Sequence, residues 1–161
     1  MIVVADTSVI LNLCRVQHEH LLQELFQRVL VPAEVAGEFA RLTKIPNRFS
    51  GLTLPAWIEI SSAPQIFPPE VMQAELGIGE SAAITLCLNQ KADVLLIDEK
   101  LGREIAIRLG IRIVGIAWVL IDAKNEKLIP SVKVLLDRLE AEANFWISSD
   151  FRLHVLQLAG E

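Results

Sequence analysis

Apolar residues along the chain fall into two kinds of run. Short, nearly continuous runs rich in β-branched residues occupy 2–5, 28–31, 57–61, 94–97 and 112–114. Parallel strands covered on both faces read this way, because neither face alternates with solvent. Between them lie stretches of helical periodicity at 9–17, 21–27, 33–42, 80–89 and 102–109. The alternation of strand and helix predicts an α/β fold built on an open parallel sheet. Pro, Asn and Ser place loops at 46–51 and 63–69. After Gly115 the pattern turns helical, over 118–123, 131–143 and from about 150 to 158. No repeat, low-complexity tract or linker interrupts the chain. The expectation is one domain, 1–161, with a C-terminal helical extension from about 130.

Two strands end in acids. The run at 2–5 stops at Asp6, and the run at 94–97 stops at Asp98 and Glu99. Taken alone, Asp6 reads equally well as a helix cap or turn residue, with Thr7 and Ser8 as further capping candidates. Open α/β sheets, however, form their sites outside the carboxyl ends of strands where the strand order reverses. Neighbouring strands there lie about 5 Å apart, so two such carboxylates repel unless a proton or cation intervenes. A hard divalent ion such as Mg²⁺ suits oxygen ligands of this kind. Glu34 and Glu38 share one helical face, where a solvated surface accounts for Glu34. Glu80 opens an apolar helix, where the helix dipole alone would favour it. Gly77, Gly79 and Ala82 also match a dinucleotide-binding spacing, with Asp98 as the ribose acid. The preceding PPEVMQAEL is too polar for the strand such a site requires.

Composition adds bounds. Of 161 residues, 52% are hydrophobic, enough for a substantial core, yet no run reaches the roughly 20 residues needed to cross a bilayer. No secretion signal is evident, and Cys14 and Cys87 each sit in an apolar segment. Both features fit a reduced, cytoplasmic protein. The net charge of −5 offers no global attraction for nucleic acid, although an acidic metal site would itself make the charge negative.

Together the acids resemble a known family. Asp6 in VVADTSVILNL, Glu38 in VPAEVAGEF, Glu80 in LGIGESAAITL and Asp98 in LLIDEKLGREIA resemble the acidic quartet of PIN-domain proteins. GIGESAAI, LLIDEKLGREIAIRLGI, VGIAWVLIDAK and LHVLQLAGE look more narrowly like a VapC-like prokaryotic subfamily. The resemblance implies a three-layer α/β/α fold with strand order 3-2-1-4-5. It also implies a ribonuclease dependent on Mg²⁺ or Mn²⁺, often the toxin of a toxin–antitoxin pair. Asp6, Glu38, Glu80 and Asp98 would then be the metal-binding, catalytic acids, with Ser8 supporting Asp6. Glu80 stands where many members carry Asp, and Glu99 is a substitute or supplement for it.

No histidine falls in an acid block, so water on the metal is the expected nucleophile for RNA hydrolysis. Arg41, Lys44, Arg48, Lys100 and Arg103 are the candidates for phosphate contact, with a Glu99–Arg103 ion pair as the competing role for Arg103. Sparse aromatics, with no Tyr, argue against a stacking platform for single strands. Trp57 and Trp118 are expected in the core. Phe145 and Trp146 are expected to form an apolar patch suited to a homodimer or antitoxin contact. The alternative function is a PIN-like binding module without turnover.

Overall fold

The computed structural model describes residues 1–63 and 66–161. The chain forms β1 (Ile2–Ala5), α1 (Thr7–Arg15), α2 (His20–Leu25), β2 (Arg28–Pro32), α3 (Ala33–Lys44) and β3 (Glu59–Ser61). It continues through α4 (Pro69–Met72), α5 (Ile78–Gln90), β4 (Val94–Leu96), α6 (Lys100–Arg108) and β5 (Ile113–Val114). Three helices follow: α7 (Ile116–Asn125), α8 (Val132–Ala143) and α9 (Ser149–Leu158). The loop expected over 63–69 includes Pro64 and Gln65, which lie outside the described residues. Its far end is not loop but the start of α4, where Pro69 takes the first helical turn.

All strand pairs are parallel, in the order β3-β2-β1-β4-β5. The fold is therefore the three-layer α/β/α arrangement that the sequence resemblance implied. Register fixes the site end of the sheet: Ala5 pairs with Leu96, and the Asp6 N–H extends that ladder by donating to the Leu96 carbonyl at 2.9 Å. The chain passes from β1 outward through β2 to β3, then returns to lay β4 on the other side of β1. The strand order thus reverses between β1 and β4, which opens a crevice at their carboxyl ends.

Burial explains the strand sequences. Val3, Val4, Ala5, Val94, Leu95 and Leu96 are all essentially inaccessible, as strands covered by helices on both faces must be. Helix α5 runs along β1, β2 and β4 and touches α3, α4 and α6 as well. It is buried on nearly every side from Ser81 to Cys87, so it lacks the polar face of a surface helix. Of the two buried hydroxyl residues there, Ser81 and Thr85, the latter returns its hydroxyl to the Ser81 carbonyl at 2.8 Å. A second group of helices packs as α1 on α8, α2 on α7, and α7 on α8 and α9.

One aromatic departs from expectation. Trp118 is 39% exposed rather than a core residue. Helix α7 turns Ile116, Ala117, Val119, Leu120 and Ile121 inward, which leaves Trp118 on the outer stripe with exposed Asp122 and Asn125. Trp57 packs, partly buried, against the core.

The Glu161 side chain clasps α8. Its carboxylate accepts from the Ser131 hydroxyl at 2.6 Å, the Val132 N–H at 2.7 Å, the Lys124 ammonium at 3.0 Å and the Lys133 N–H at 3.2 Å. Burial raises its pKa, but these donors outweigh that and carry it down to about 2. Two free N–H groups at a helix start are thereby satisfied by a charge of favourable sign. Glu161→Ala is expected to cost about 1–2 kcal/mol in urea unfolding at neutral pH. Because the folded value lies below the ordinary 4.5, the stabilisation is present above that pH and is lost as pH falls towards 2. An unchanged midpoint at neutral pH would refute the clasp.

Candidate active site

Four elements bring acids to the crevice. Asp6 directly follows β1, Asp98 follows β4 after Ile97, Glu38 stands on α3, and Glu80 stands in the first turn of α5. Asp6 occupies the N-cap position of α1 yet makes no capping hydrogen bond from its side chain. It is 4% exposed, and the Ser8 hydroxyl donates to its Oδ2 at 3.2 Å. Asp98 takes the Ile116 N–H at 3.2 and 3.3 Å, so the start of α7 holds this carboxylate.

Glycines let the elements close in. A β-carbon at Gly79 would collide with Glu38 Oε2 and come within 3.3 Å of Thr7 Oγ1. A β-carbon at Gly115 would lie 2.5 Å from Asp98 Oδ1 and 2.9 Å from Arg103 Nη1. One at Gly102 would lie 3.1 Å from Glu80 Oε2. The glycines that mimic a dinucleotide motif in sequence thus include the point where α5 meets the acid on α3. Among the described residues no strand leads directly into α5 to complete such a motif: its nearest upstream element is α4.

The charges are poorly compensated. Burial, then the Glu38 charge, pushes Asp6 up to about 6 against the pull of the Thr7 N–H. Burial raises Asp98 to about 6 as well, with Asp6 adding to the rise and the Ile116 N–H and Arg103 opposing it. Glu80 rises to about 7 through burial and then the charges of Asp6, Glu99 and Glu38. Glu80 Oε2 and Thr7 Oγ1 are buried without any hydrogen-bond partner. Orphaned oxygens among mutually repelling carboxylates match a hard divalent cation in donor type. Among the described residues, no three acidic, His or Cys side chains are gathered closely enough to hold an ion as they stand.

Several assignments from the sequence take definite positions. Glu99 caps α6 by accepting from the Gly102 N–H at 2.9 Å, while its charge bears on Glu80. No Glu99–Arg103 ion pair forms among the described residues. Arg103 turns towards Asp98 and the Ile97 carbonyl, the latter at 3.4 Å. Lys100 and Arg103 line a groove of about 450 Å³ together with Asp98. Arg48 lines a second groove, of about 280 Å³, with Ser8 and Glu38, its guanidinium 4.5 Å above the Phe49 ring. Arg41 and Lys44 lie exposed on α3 and line neither groove. A further cavity, of about 590 Å³, lies at the opposite end of the strands beside Met1, Val94 and Arg112, and holds none of the four acids.

Other nucleophiles stand apart. His18 stacks near His20 at a ring separation of 5.5 Å and contacts the Val16 carbonyl at 2.7 Å. Cys14 and Cys87 are free and buried, their thiols pushed by burial up to about 12 and about 11, values that leave no reactive thiolate. The sequence reads Thr7 as a residue that starts α1 and helps hold the Asp6 carboxylate; its buried, unpartnered hydroxyl at the site was not foreseen. Its position directly after a strand-ending acid was the available signal.

A parallel sheet of this order, with acids converging on its reversal point, defines a class of α/β proteins. A family model described as PIN domain matches residues 2–161, and the chain belongs to that family. PIN domains are generally nucleases, and PIN nucleases act on RNA. No curated protein matches the chain.

Proposed function

We propose that this protein is an endoribonuclease dependent on Mg²⁺ or Mn²⁺, with Asp6, Glu38, Glu80 and Asp98 as the acids that hold the metal. One observation carries the reading: acids from four separate elements converge at the sheet's reversal point, and burial plus mutual repulsion lifts three of them far from their ordinary pKa. A divalent cation would supply Lewis-acid stabilisation of charge on the phosphoryl oxygens and acidify water. Ser8 orients Asp6, and the Ile116 N–H orients Asp98. Glu99 sets the start of α6, which carries Lys100 and Arg103 towards the phosphate. Glu80, one methylene longer than the Asp of many relatives, reaches the same centre from α5.

Cleavage of a cellular RNA pool tests this directly. The wild type is expected to cut with Mg²⁺ or Mn²⁺ and to stop in chelator. Asp98→Asn should lower the rate at least about 100-fold with the fold intact by circular dichroism. Equal cutting with and without chelator would defeat the metal reading. We infer further that the chain acts as a VapC-like toxin, as a homodimer restrained by an antitoxin. Expression should then arrest growth, and Asp98→Asn should relieve the arrest. A growth arrest unaffected by that substitution would sever toxicity from the site.

A further inference from the structure

We infer that Trp146 is a nucleobase-stacking subsite beside the acids, an assignment that rests on the ribonuclease reading above. Helix α8 is capped by Asn144, in left-handed conformation with φ of 54°, and the Phe145 N–H closes the turn on the Leu139 carbonyl at 3.1 Å. The chain then runs without regular structure to Ser148. Phe145 and Ile147 are partly buried and pack on the core, whereas Trp146 between them is 75% exposed. Alternation of this kind presents the indole outward between two anchored neighbours, so the main chain beneath it is already held before binding.

The position of the ring decides its role. Trp146 lines both grooves that reach the acid cluster: one carries Asp98, Lys100 and Arg103, the other Ser8, Glu38 and Arg48. With partly buried Phe145, which also lines both, it forms the ridge between them. A strand whose phosphate sits at the acids would pass its next base onto this ridge, with a guanidinium or ammonium in either groove for the flanking phosphates. Glu104 also lines the first groove and opposes the phosphate there. The polyanion is favoured over a protein partner because a cation stands in each groove and both open on the acids. A single ring serves a single base, so the scarcity of aromatics along the chain does not exclude this subsite.

The test uses the full chain and a short fluorescein-labelled single-stranded RNA, with binding followed by anisotropy in chelator and cleavage followed separately with Mn²⁺. Trp146→Ala is expected to weaken binding roughly tenfold and Trp146→Phe by no more than about twofold. An abasic site at the stacked nucleotide should weaken the wild type by the same factor and leave Trp146→Ala unaffected. In cleavage, Trp146→Ala should raise KM with kcat retained. Equal affinity of wild type and Trp146→Ala would overturn the subsite while an active wild type kept the ribonuclease reading. Binding that depends on Trp146 without cleavage would keep the subsite and overturn that reading. A wild type that binds no RNA would overturn the subsite. A wild-type dimer that Trp146→Ala dissociates, with RNA affinity unchanged, would reassign the ring to a protein interface.

Discussion

Asp6→Asn is expected to lower RNA cleavage by at least about 100-fold while making the metal-free protein more stable at pH 7.5. The second half follows from the sign of the shift. Asp6 has an ordinary pKa of 3.8 and a folded value of about 6, raised first by burial and then by Glu38. A carboxyl raised on folding contributes stability that is complete below 3.8 and is lost as pH rises through 6. Above that window the folded state carries a buried charge at a cost of about 3 kcal/mol. Asparagine has no such charge, and its carbonyl can still accept the Ser8 hydroxyl. Its new N–H donors offset part of the gain, so a net stabilisation of about 1–2 kcal/mol is expected at pH 7.5 and almost none near pH 4. Melting curves across pH check this. The rise in melting temperature that Mn²⁺ gives the wild type should shrink in the variant and, in the wild type, grow with pH as the cation displaces fewer protons. A variant less stable at pH 7.5 than at pH 4, relative to wild type, would show that Asp6 is compensated within the protein.

The same feature that makes Asp6 costly made it visible in sequence. An acid that interrupts a continuous apolar run has no solvent-facing position to occupy, so it signals a site or a cap wherever the strand lies in the sheet. Asp98 was legible for the same reason, and the parallel sheet was legible because Val3, Val4, Val94 and Leu95 belong to unbroken apolar runs. What escaped depends on contacts far apart in the chain. Trp118 faces outward because five of its neighbours on α7 fill the inner face, a choice that periodicity alone does not make in an all-apolar stretch. Glu99 and Arg103 have the spacing of a helical ion pair, but Glu99 is the cap of α6 rather than a residue on its face. Its carboxylate turns to the helix's own Gly102 N–H. Arg103 goes to Asp98, which the β4 ladder places beside it. Helix α4 did carry its signal, Pro69 followed by Glu70, inside what reads as a Pro-rich loop. Trp146 was legible as an exposed apolar residue, but its place between two grooves was not, since that is set by where α8 docks on α1 and α7.

Gly79→Ala and Gly37→Ala should separate the site from the scaffold. Both glycines are helical, and alanine in either place is expected to favour the helix by about 0.5–1 kcal/mol. A β-carbon at Gly37 meets nothing within 4 Å, so that variant should gain stability in urea and cleave RNA as the wild type does. At Gly79 the added carbon falls on the Glu38 carboxylate and beside the Thr7 hydroxyl. The obstructed atom is the end of a flexible side chain, which swings away at little energetic cost. Gly79→Ala should therefore have an unfolding free energy no more than about 1 kcal/mol below wild type, yet lose about 10- to 100-fold in cleavage as Glu38 leaves its place. The loss should appear in kcat and in the Mn²⁺ concentration needed for half-maximal rate, since a displaced acid weakens whatever the four acids hold together. Full cleavage by Gly79→Ala would remove Glu38 from the catalytic set and leave the centre to Asp6, Glu80 and Asp98.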